Sequence, residues 1–350
     1  MDFKIKTNNV RSFAMHTLTQ FTGCTNSLKK IGPVKNIGQI AICRTSSKLE
    51  DLLLMSPLLK ELSNTYPTAN IDLFVKGSKA TEIFKNYNNI DTVIELPEKS
   101  FQQPLEYLKC WGKLRRTKYD LVINADKSSW LGRIAVKFTR ARFKLYGDTL
   151  SESAALIFSD YKHAAKTSVY DFRFSVSKDG IFEWNDKVPN LDLKLDSSEM
   201  SEGNRIFRKI APAAKKSICI FTYEEGEKRH SAEWWEEFYQ KVRGSFPSYT
   251  LIEILSTKKV SQIGFKAKSF YSSDIRKTAS IIANTSIFIG ADNGIMQLAS
   301  ATKVPVLGLF ITNPERYAPY NNYSSAIETN EDSIDNIVEL IDTILHHRLN

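Results

Sequence analysis

The residues of this chain best suited to chemistry lie in three short polar turns, each placed at the end of an apolar run. Asp292-Asn293-Gly294 follows the apolar residues 286–289 and precedes a helical spacing over 295–301 and a second buried strand over 304–310. A turn of this kind aims the free N–H groups of a helix's first turn back at the strand end, where an anion such as a diphosphate can sit without a dedicated lysine. The same layout also fits an ordinary strand-to-helix connection, because short glycine motifs are common. A second turn, Arg44-Thr45-Ser46-Ser47-Lys48-Leu49-Glu50-Asp51, follows the strand 39–43. Ser47 and Glu50 have capping-box spacing, and Asp51 falls in a first helical turn where the helix dipole favours a carboxylate. Capping alone accounts for those residues, yet a carboxylate at a strand-to-helix turn is equally placed to accept a proton as a general base. The third turn runs from Tyr223 to Ser231 after a strand that ends at Thr222, and carries Glu225, Glu227, Lys228 and Arg229. It reads as a solvated charged loop; if it faces the 292–294 turn, Lys228 becomes the second side of a diphosphate clamp.

These turns need a scaffold, and the hydrophobic spacing supplies one. Strands are predicted over 39–43, 71–75, 92–96, 120–124 and 143–146, alternating with helical spacings over 49–62, 80–86, 104–116 and 131–139. A polar stretch over 180–201 containing Pro189 interrupts the pattern. It then resumes with strands over 217–222, 250–255, 286–289 and 304–310 and helices over 232–242, 274–283, 295–301 and 333–345. Strands alternating with helices imply parallel sheets covered on both faces. The expected fold is therefore α/β, with two Rossmann-like domains facing each other and mostly parallel sheets, in which ligands collect at the carboxyl ends of strands. The expected organisation is a basic amphipathic extension over 1–36, a first domain over 37–180, a linker over 181–200 and a second domain over 201–350.

Composition excludes several alternatives. With 350 residues and 42% hydrophobic content the chain is long enough for two cores of ordinary size. Its apolar runs are broken well short of the ~20 residues that a membrane span requires, and its first residues lack a secretory apolar core. These observations predict a cytoplasmic protein. Cys24, Cys43, Cys110 and Cys219 are too scattered for a zinc site or a redox dithiol, and Cys43 and Cys219 read as small core residues. No metal and no cofactor is expected. The net charge of +9 is concentrated in residues 1–36, with six Lys/Arg against Asp2, and in residues 113–144, with ten against Asp120 and Asp126. Such patches attract nucleic acid, anionic membrane surfaces or phosphorylated substrates. In the first patch Val10, Phe13, Ala14, Leu18 and Phe21 form an apolar helical stripe, as in a segment that lies on a membrane or packs against the protein body. Nucleic acid is disfavoured as a partner, because the basic residues are not interleaved with aromatics on a recognisable module.

Taken in order, the three turns resemble glycosyltransferase family 9, the ADP-heptose:lipopolysaccharide heptosyltransferases. Arg44-Thr45-Ser46-Ser47, Asp51 and Pro57-Leu58-Leu59 are similar to that family's first strand, turn and helix. Tyr66-Pro67-Thr68-Ala69-Asn70-Ile71-Asp72, Tyr119-Asp120-Leu121-Val122-Ile123-Asn124 and Ala141-Arg142-Phe143-Lys144-Leu145-Tyr146-Gly147 look like further elements of it. In the second half the counterparts are Lys228 with Trp234-Trp235, Gly290-Ala291-Asp292-Asn293-Gly294, and the segment 313–319. The resemblance spans about residues 37–345. It implies a GT-B fold with acceptor in the first domain and nucleotide sugar in the second, and an inverting, metal-independent transfer. Asp51 is then the general base, and Thr222, Lys228, Asp292, Asn293, Gly294 and Gln297 form the donor site. Ser46 and Ser47, together with Arg133, Lys137 and Arg140 on one helical face, attend the acceptor. The implied partners are a nucleotide-sugar donor and a lipid-linked cell-envelope glycan, with a place on the inner face of the cytoplasmic membrane. The chain departs from the family pattern at Glu50, where glycine precedes the base; at Asn293, where a hydroxyl is common; at Gln297, where histidine is usual; and at Arg229-His230, where tryptophan-proline is familiar. The leading expectation from the resemblance is a transferase that moves heptose from ADP-heptose onto a lipopolysaccharide core or related cell-envelope glycan; the alternatives are a non-catalytic nucleotide-sugar or glycan-binding relative and a transferase that uses a different nucleotide sugar.

Overall fold

The computed structural model describes residues 36–99, 101–148, 158–177, 187–224 and 229–347. The stripe of residues 1–35 and Lys228 lie outside the described residues. The chain forms two compact units, Met1–Pro189 and Asn190–Asn350.

In the first unit the strands are β1 (Gln39–Arg44), β2 (Asn70–Lys76), β3 (Ile90–Leu96), β4 (Lys118–Asn124) and β5 (Arg140–Leu145). Its helices are α1 (Leu49–Leu53), α2 (Ser56–Thr65), α3 (Ala80–Ile83), α4 (Pro104–Arg116), α5 (Trp130–Phe138) and α6 (Ala164–Val176). The sheet order is β3-β2-β1-β4-β5, and each neighbouring pair is parallel. Alternation puts Ala41, Cys43, Val122 and Phe74 on one face, against Trp111 and Leu114 of α4 and Ala135 and Val136 of α5. Ile40, Ile42, Leu73 and Leu121 on the opposite face are equally inaccessible. Burial on both faces is what parallel strands require.

The helical spacing over 49–62 is split into two helices. Pro57 sits in the first turn of α2 and has no N–H to give to Leu53, whose carbonyl instead accepts from the Ser56 hydroxyl at 2.7 Å. The capping box expected from Ser47 and Glu50 does not form. The residue before α1 is Lys48, with no side-chain cap. A capping box does form at Asp196 and Glu199, starting a helix that lies partly in the stretch read as linker.

The second unit contains β6 (Ser217–Phe221), β7 (Thr250–Ile254), β8 (Lys268–Phe270), β9 (Ile287–Ala291), β10 (Val306–Phe310) and β11 (Ser325–Glu328). Its helices are α7 (Ser197–Ile210), α8 (Ala232–Ser245), α9 (Ile275–Ile282), α10 (Gly294–Ser300) and α11 (Ile334–His347). The sheet order β11-β10-β9-β6-β7-β8 is again parallel throughout. Ile218, Ile220, Ile287 and Leu307 pack under α8 and α11 through Trp235, Phe238, Ile337 and Ile341. Cys219, Phe221, Phe288 and Val306 pack on the other face with Ile281, Met296 and Ala299 of α9 and α10. In both sheets the strand order reverses beside the first strand, between β1 and β4 and between β6 and β9. The carboxyl ends at such a reversal open a crevice that strand connections do not fill.

The α7–α9 contact is close enough to be tested. A Cβ built on Gly203 would lie 2.5 Å from the Ser280 carbonyl oxygen and 2.6 Å from its carbon, both backbone atoms of α9. Helix propensity alone would make Gly203→Ala stabilising by about 1 kcal/mol. Because the obstructing atoms are backbone, the substitution is expected instead to destabilise the second unit by about 1–3 kcal/mol. Urea unfolding followed by tryptophan fluorescence reads the sign.

Candidate active site

In the first unit the polar residues gather at the β1/β4 reversal. Arg44 ends β1 with its side chain buried, and its Nη1 donates to the Ala125 carbonyl beyond β4 at 3.0 Å. Its Nη2 donates to Asp51 Oδ1 at 2.7 Å, and the Ser46 hydroxyl donates to Asp51 Oδ2 at 2.6 Å. Thr45 reaches across the reversal to Ser129 at 2.7 Å, and Ser129 caps α5. Asp51 therefore stands on the first turn of α1 with one hydrogen bond to each oxygen, which leaves one lone-pair direction on each for a further donor. Burial pushes its carboxyl upward, but the Arg44 guanidinium, the Ser46 hydroxyl and Lys48 outweigh that effect and hold it below the ordinary carboxylate value. The result is a fixed anion at neutral pH.

Of the other residues expected at the acceptor, Ser46 faces Asp51, while Ser47 lies beside it without a cap role. Arg133 is buried and paired with Asp148 at 3.1 Å. Lys137 is exposed near the end of α5. Arg140 is not on that helix, as expected from the sequence, but is the first residue of β5. The helix stops at Phe138, and Thr139 is extended with its hydroxyl turned back onto the Val136 carbonyl, so the three cations do not share a face.

In the second unit the β6/β9 reversal holds Thr222 and the 292–294 turn. The Thr222 hydroxyl is buried; it donates to Glu253 Oε1 at 2.6 Å and accepts from the Gln262 N–H at 3.1 Å. Ser261 binds the other Glu253 oxygen at 2.7 Å. Burial raises the Glu253 carboxyl, and the two hydroxyls offset part of that rise. Asn293 caps α10, its Oδ1 accepting from the N–H groups of Ile295 and Met296 at 2.8 and 3.0 Å. Those amides, expected to be free for an anion, are occupied by the side chain of the turn itself. Asp292 is exposed beside them. Gln297 is fully buried and donates from Nε2 to the Tyr317 carbonyl at 2.6 Å, tying α10 to the 313–319 segment. Asn293 Nδ2 and Gln297 Oε1 are buried and unpaired.

The turn after β6 is anchored at both ends by groups that sequence reasoning did not assign to a site. The Glu224 carboxylate meets His230 Nδ1 at 3.0 Å and accepts from the His230 backbone N–H at 2.8 Å. His230 Nε2 lies 2.7 Å from the Thr329 hydroxyl, and its ring packs 4.1 Å from that of Trp234. Lys228 falls between Glu224 and His230 in sequence and lies outside the described residues. Glu253 was detectable as the lone carboxylate of an otherwise apolar strand. The Glu224–His230 pairing left no such signal, because nothing in the residue types says which partner a loop histidine takes. Among the described residues no group of His, Cys, Asp or Glu is arranged to hold a metal ion.

Residues 273–339, which contain the 292–294 turn, Gln297 and the 313–319 segment, match the sequence model of glycosyltransferase family 9 (heptosyltransferase). That stretch of the second unit is therefore similar in sequence to glycosyltransferase family 9. The fold agrees. A family 9 glycosyltransferase from Veillonella parvula superposes with a TM-score of 0.68 at 15% identity, over 89% of this chain and 98% of that one. The E. coli ADP-heptose lipopolysaccharide heptosyltransferase II gives 0.63 at 14% identity, over 90% and 100%. E. coli heptosyltransferase WaaC, solved with ADP, gives 0.65 at 14% identity, over 87% and 99%. No curated protein sequence matches. The chain thus has the α/β, GT-B class of fold.

The Arg44–Asp51 pair has a measurable signature. Breaking a buried pair strands the other charge, so Asp51→Asn is expected to cost on the order of 3 kcal/mol of stability at neutral pH. Because the folded carboxyl titrates below its unfolded value of about 3.9, this contribution is complete above that pH and disappears as pH falls through the lower folded value. Urea unfolding of parent and variant across the acid range is expected to show the gap closing only below about pH 4. A gap that stays constant down to strong acid overturns the assignment.

Proposed function

We propose that this chain is an inverting glycosyltransferase that moves a sugar from a nucleoside-diphosphate sugar onto a hydroxyl of a cell-envelope glycan. ADP-heptose is the foremost donor and the lipopolysaccharide core the foremost acceptor. The observation that carries this reading is the Asp51 carboxylate, held by Arg44 and Ser46 at a strand-order reversal in a chain related to family 9. The acceptor hydroxyl donates to an open lone pair of Asp51. As its oxygen bonds to the anomeric carbon on the face opposite the diphosphate, the proton passes to the carboxylate and the departing C–O electron pair goes to the diphosphate oxygen. Arg44 lowers the basicity of Asp51, so proton transfer trails C–O bond formation, when the attacking hydroxyl has become acidic. Lys228 and the turn at Asp292, Asn293 and Gly294 neutralise the leaving diphosphate, as donors aimed at developing charge do. Rotation of the Asn293 side chain frees the two amides it now caps. Thr222, whose hydroxyl is committed to Glu253, acts by fixing that carboxylate rather than by direct contact.

A non-catalytic binding relative is the second reading, favoured by the inward Gln297 and the capped amides. Purified protein incubated with ADP-heptose and truncated core saccharide separates the two. Transfer with inverted anomeric configuration, read by mass spectrometry and NMR, is expected. Asp51→Asn should lower kcat by about 100-fold or more while leaving donor affinity unchanged. Donor binding by thermal shift also reports that the variant is folded. No transfer with ADP-heptose or with a panel of ADP-, UDP- and GDP-sugars overturns the enzyme reading, as does unchanged turnover by the variant.

A further inference from the structure

The basic stretch over 113–144 is only partly used inside the first unit. Arg133 is buried against Asp148, and the Lys144 ammonium donates to the Lys137 and Thr139 carbonyls at the end of α5. Of the cations that remain exposed, Lys113 and Arg116 border an unusual surface on α4. This helix buries Tyr107, Cys110, Trp111 and Leu114 against the sheet. At the 100° spacing of a helix, Leu105, Leu108, Lys109, Gly112 and Arg116 then fall together on the opposite side, with Lys113 at their flank. They line one shallow depression on the outside of the unit. Leu105 and Leu108 are 72% and 65% exposed, and Phe101, just before the helix, is 95% exposed. Large apolar side chains left this exposed within one short stretch of chain are costly in water, and apolar patches of this kind mark interaction sites. Beyond the depression Arg115 lies 4.7 Å over the half-exposed ring of Phe138, extending the mixed basic and apolar surface.

We infer that the outer face of α4 is a docking surface for an anionic phospholipid bilayer. Phe101, Leu105 and Leu108 enter the headgroup–acyl boundary while Lys109, Lys113 and Arg116 meet lipid phosphates. No carboxylate lines the depression, and the acidic residue of α4, Glu106, lies in its first turn. An apolar strip bordered by long cationic side chains suits an interfacial helix, because the aliphatic stems extend the apolar area while the charged heads reach the phosphates. Charge argues against other occupants. A two-fold pairing of copies through this face would set the same three cations against each other, and residues 1–36, with six Lys/Arg against Asp2, are themselves basic. No described helix is long and apolar enough to cross a membrane, so this attachment is to the surface. The inference does not depend on the donor, the acceptor or turnover.

Co-sedimentation of the full chain with vesicles tests it, using phosphatidylcholine alone and phosphatidylcholine with roughly a third phosphatidylglycerol. Binding is expected to the anionic vesicles only, and to be weakened at about 1 M salt, where the Debye length falls to about 3 Å. The triple variant Phe101→Ser, Leu105→Ser, Leu108→Ser alters exposed side chains, so its circular dichroism should match the parent while vesicle affinity falls about tenfold or more. Lys109→Gln with Lys113→Gln and Arg116→Gln should remove the preference for anionic lipid. Three results overturn the inference: a parent that ignores anionic vesicles, a triple serine variant that binds as the parent does, or a parent that is a dimer which the same variant dissociates. The vesicles carry no glycan, so failure here is distinct from failure of the transfer reaction.

Discussion

Parallel strands buried on both faces leave a chain very few places for polar chemistry. In the two sheets of this protein nearly every inward position is aliphatic or aromatic, from Ile40, Ile42 and Cys43 in β1 to Ile287, Phe288 and Ile289 in β9. A charged group placed mid-strand must be paired or neutralised, as Glu253 is by the hydroxyls of Thr222 and Ser261. The strand ends are free of that restriction. At the reversal of strand order the flanking connections diverge, so side chains there can be held by the scaffold and still face outward. Arg44 shows how rigid such a position becomes: one guanidinium spans from the β1 end to the Ala125 carbonyl after β4 and to Asp51 on α1. The carboxylate is thus positioned from the end of the sheet by Arg44 and from the following turn by Ser46.

Much of this scaffold was legible in the residue pattern. The short apolar runs bounded by turns identified most strands to within two or three residues, and the alternation with helical spacing identified the parallel arrangement. What escaped had a weak apolar signal. α7 has the sequence SSEMSEGNRIFRKI, in which a thin stripe of Met200, Ile206, Phe207 and Ile210 is outnumbered by polar and charged residues and only Gly203 and Phe207 are buried. α6 turns polar residues inward, including Asp171 and Arg173, the latter making a two-pronged bond to Glu61 of α2 at 2.6 and 2.9 Å. Long-range pairs of that kind are invisible to any local reading. β8 and β11 are short edge strands, and too few residues alternate in them to distinguish strand from loop.

For the site, position was more legible than orientation. Asp51, Thr222 and the 292–294 turn all fall at strand-order reversals, as their places after apolar runs implied. Hydrogen bonding decided where each side chain points, and this could not be read from residue type. Ser47 was expected to cap a helix, yet the neighbouring Ser46 is the one that finds a partner, the Asp51 carboxylate. Asn293 satisfies the α10 amides because its short side-chain carbonyl reaches two N–H groups at once, as a cap residue does. Gln297 has no fixed charge to solvate and can be drawn fully inside, where its amide secures the Tyr317 carbonyl and braces the neighbouring loop. A charged side chain would resist that burial.

The same distinction governs the excess positive charge. A formal charge of +9 suggests one broad cationic surface, but the cations divide by what the fold asks of them. Arg44, Arg133, Arg173 and Arg276 are buried in specific pairs, Arg276 binding Glu199 and the carbonyls of Leu193 and Lys194. Lys144 satisfies carbonyls at a helix end, where the dipole also favours a cation. Side chains committed in this way contribute to the net charge without being available to a partner. The cations of α4 are different because among the described residues no hydrogen bond or ion pair claims Lys109, Lys113 or Arg116, and because they line the same depression as Leu105 and Leu108. Exposed lysines alone are ordinary, and exposed leucines alone are tolerated singly on most surfaces. Together on one helix face, with the opposite face engaged by Trp111 and Leu114, they form a mixed apolar and cationic surface that the packing of the unit does not use.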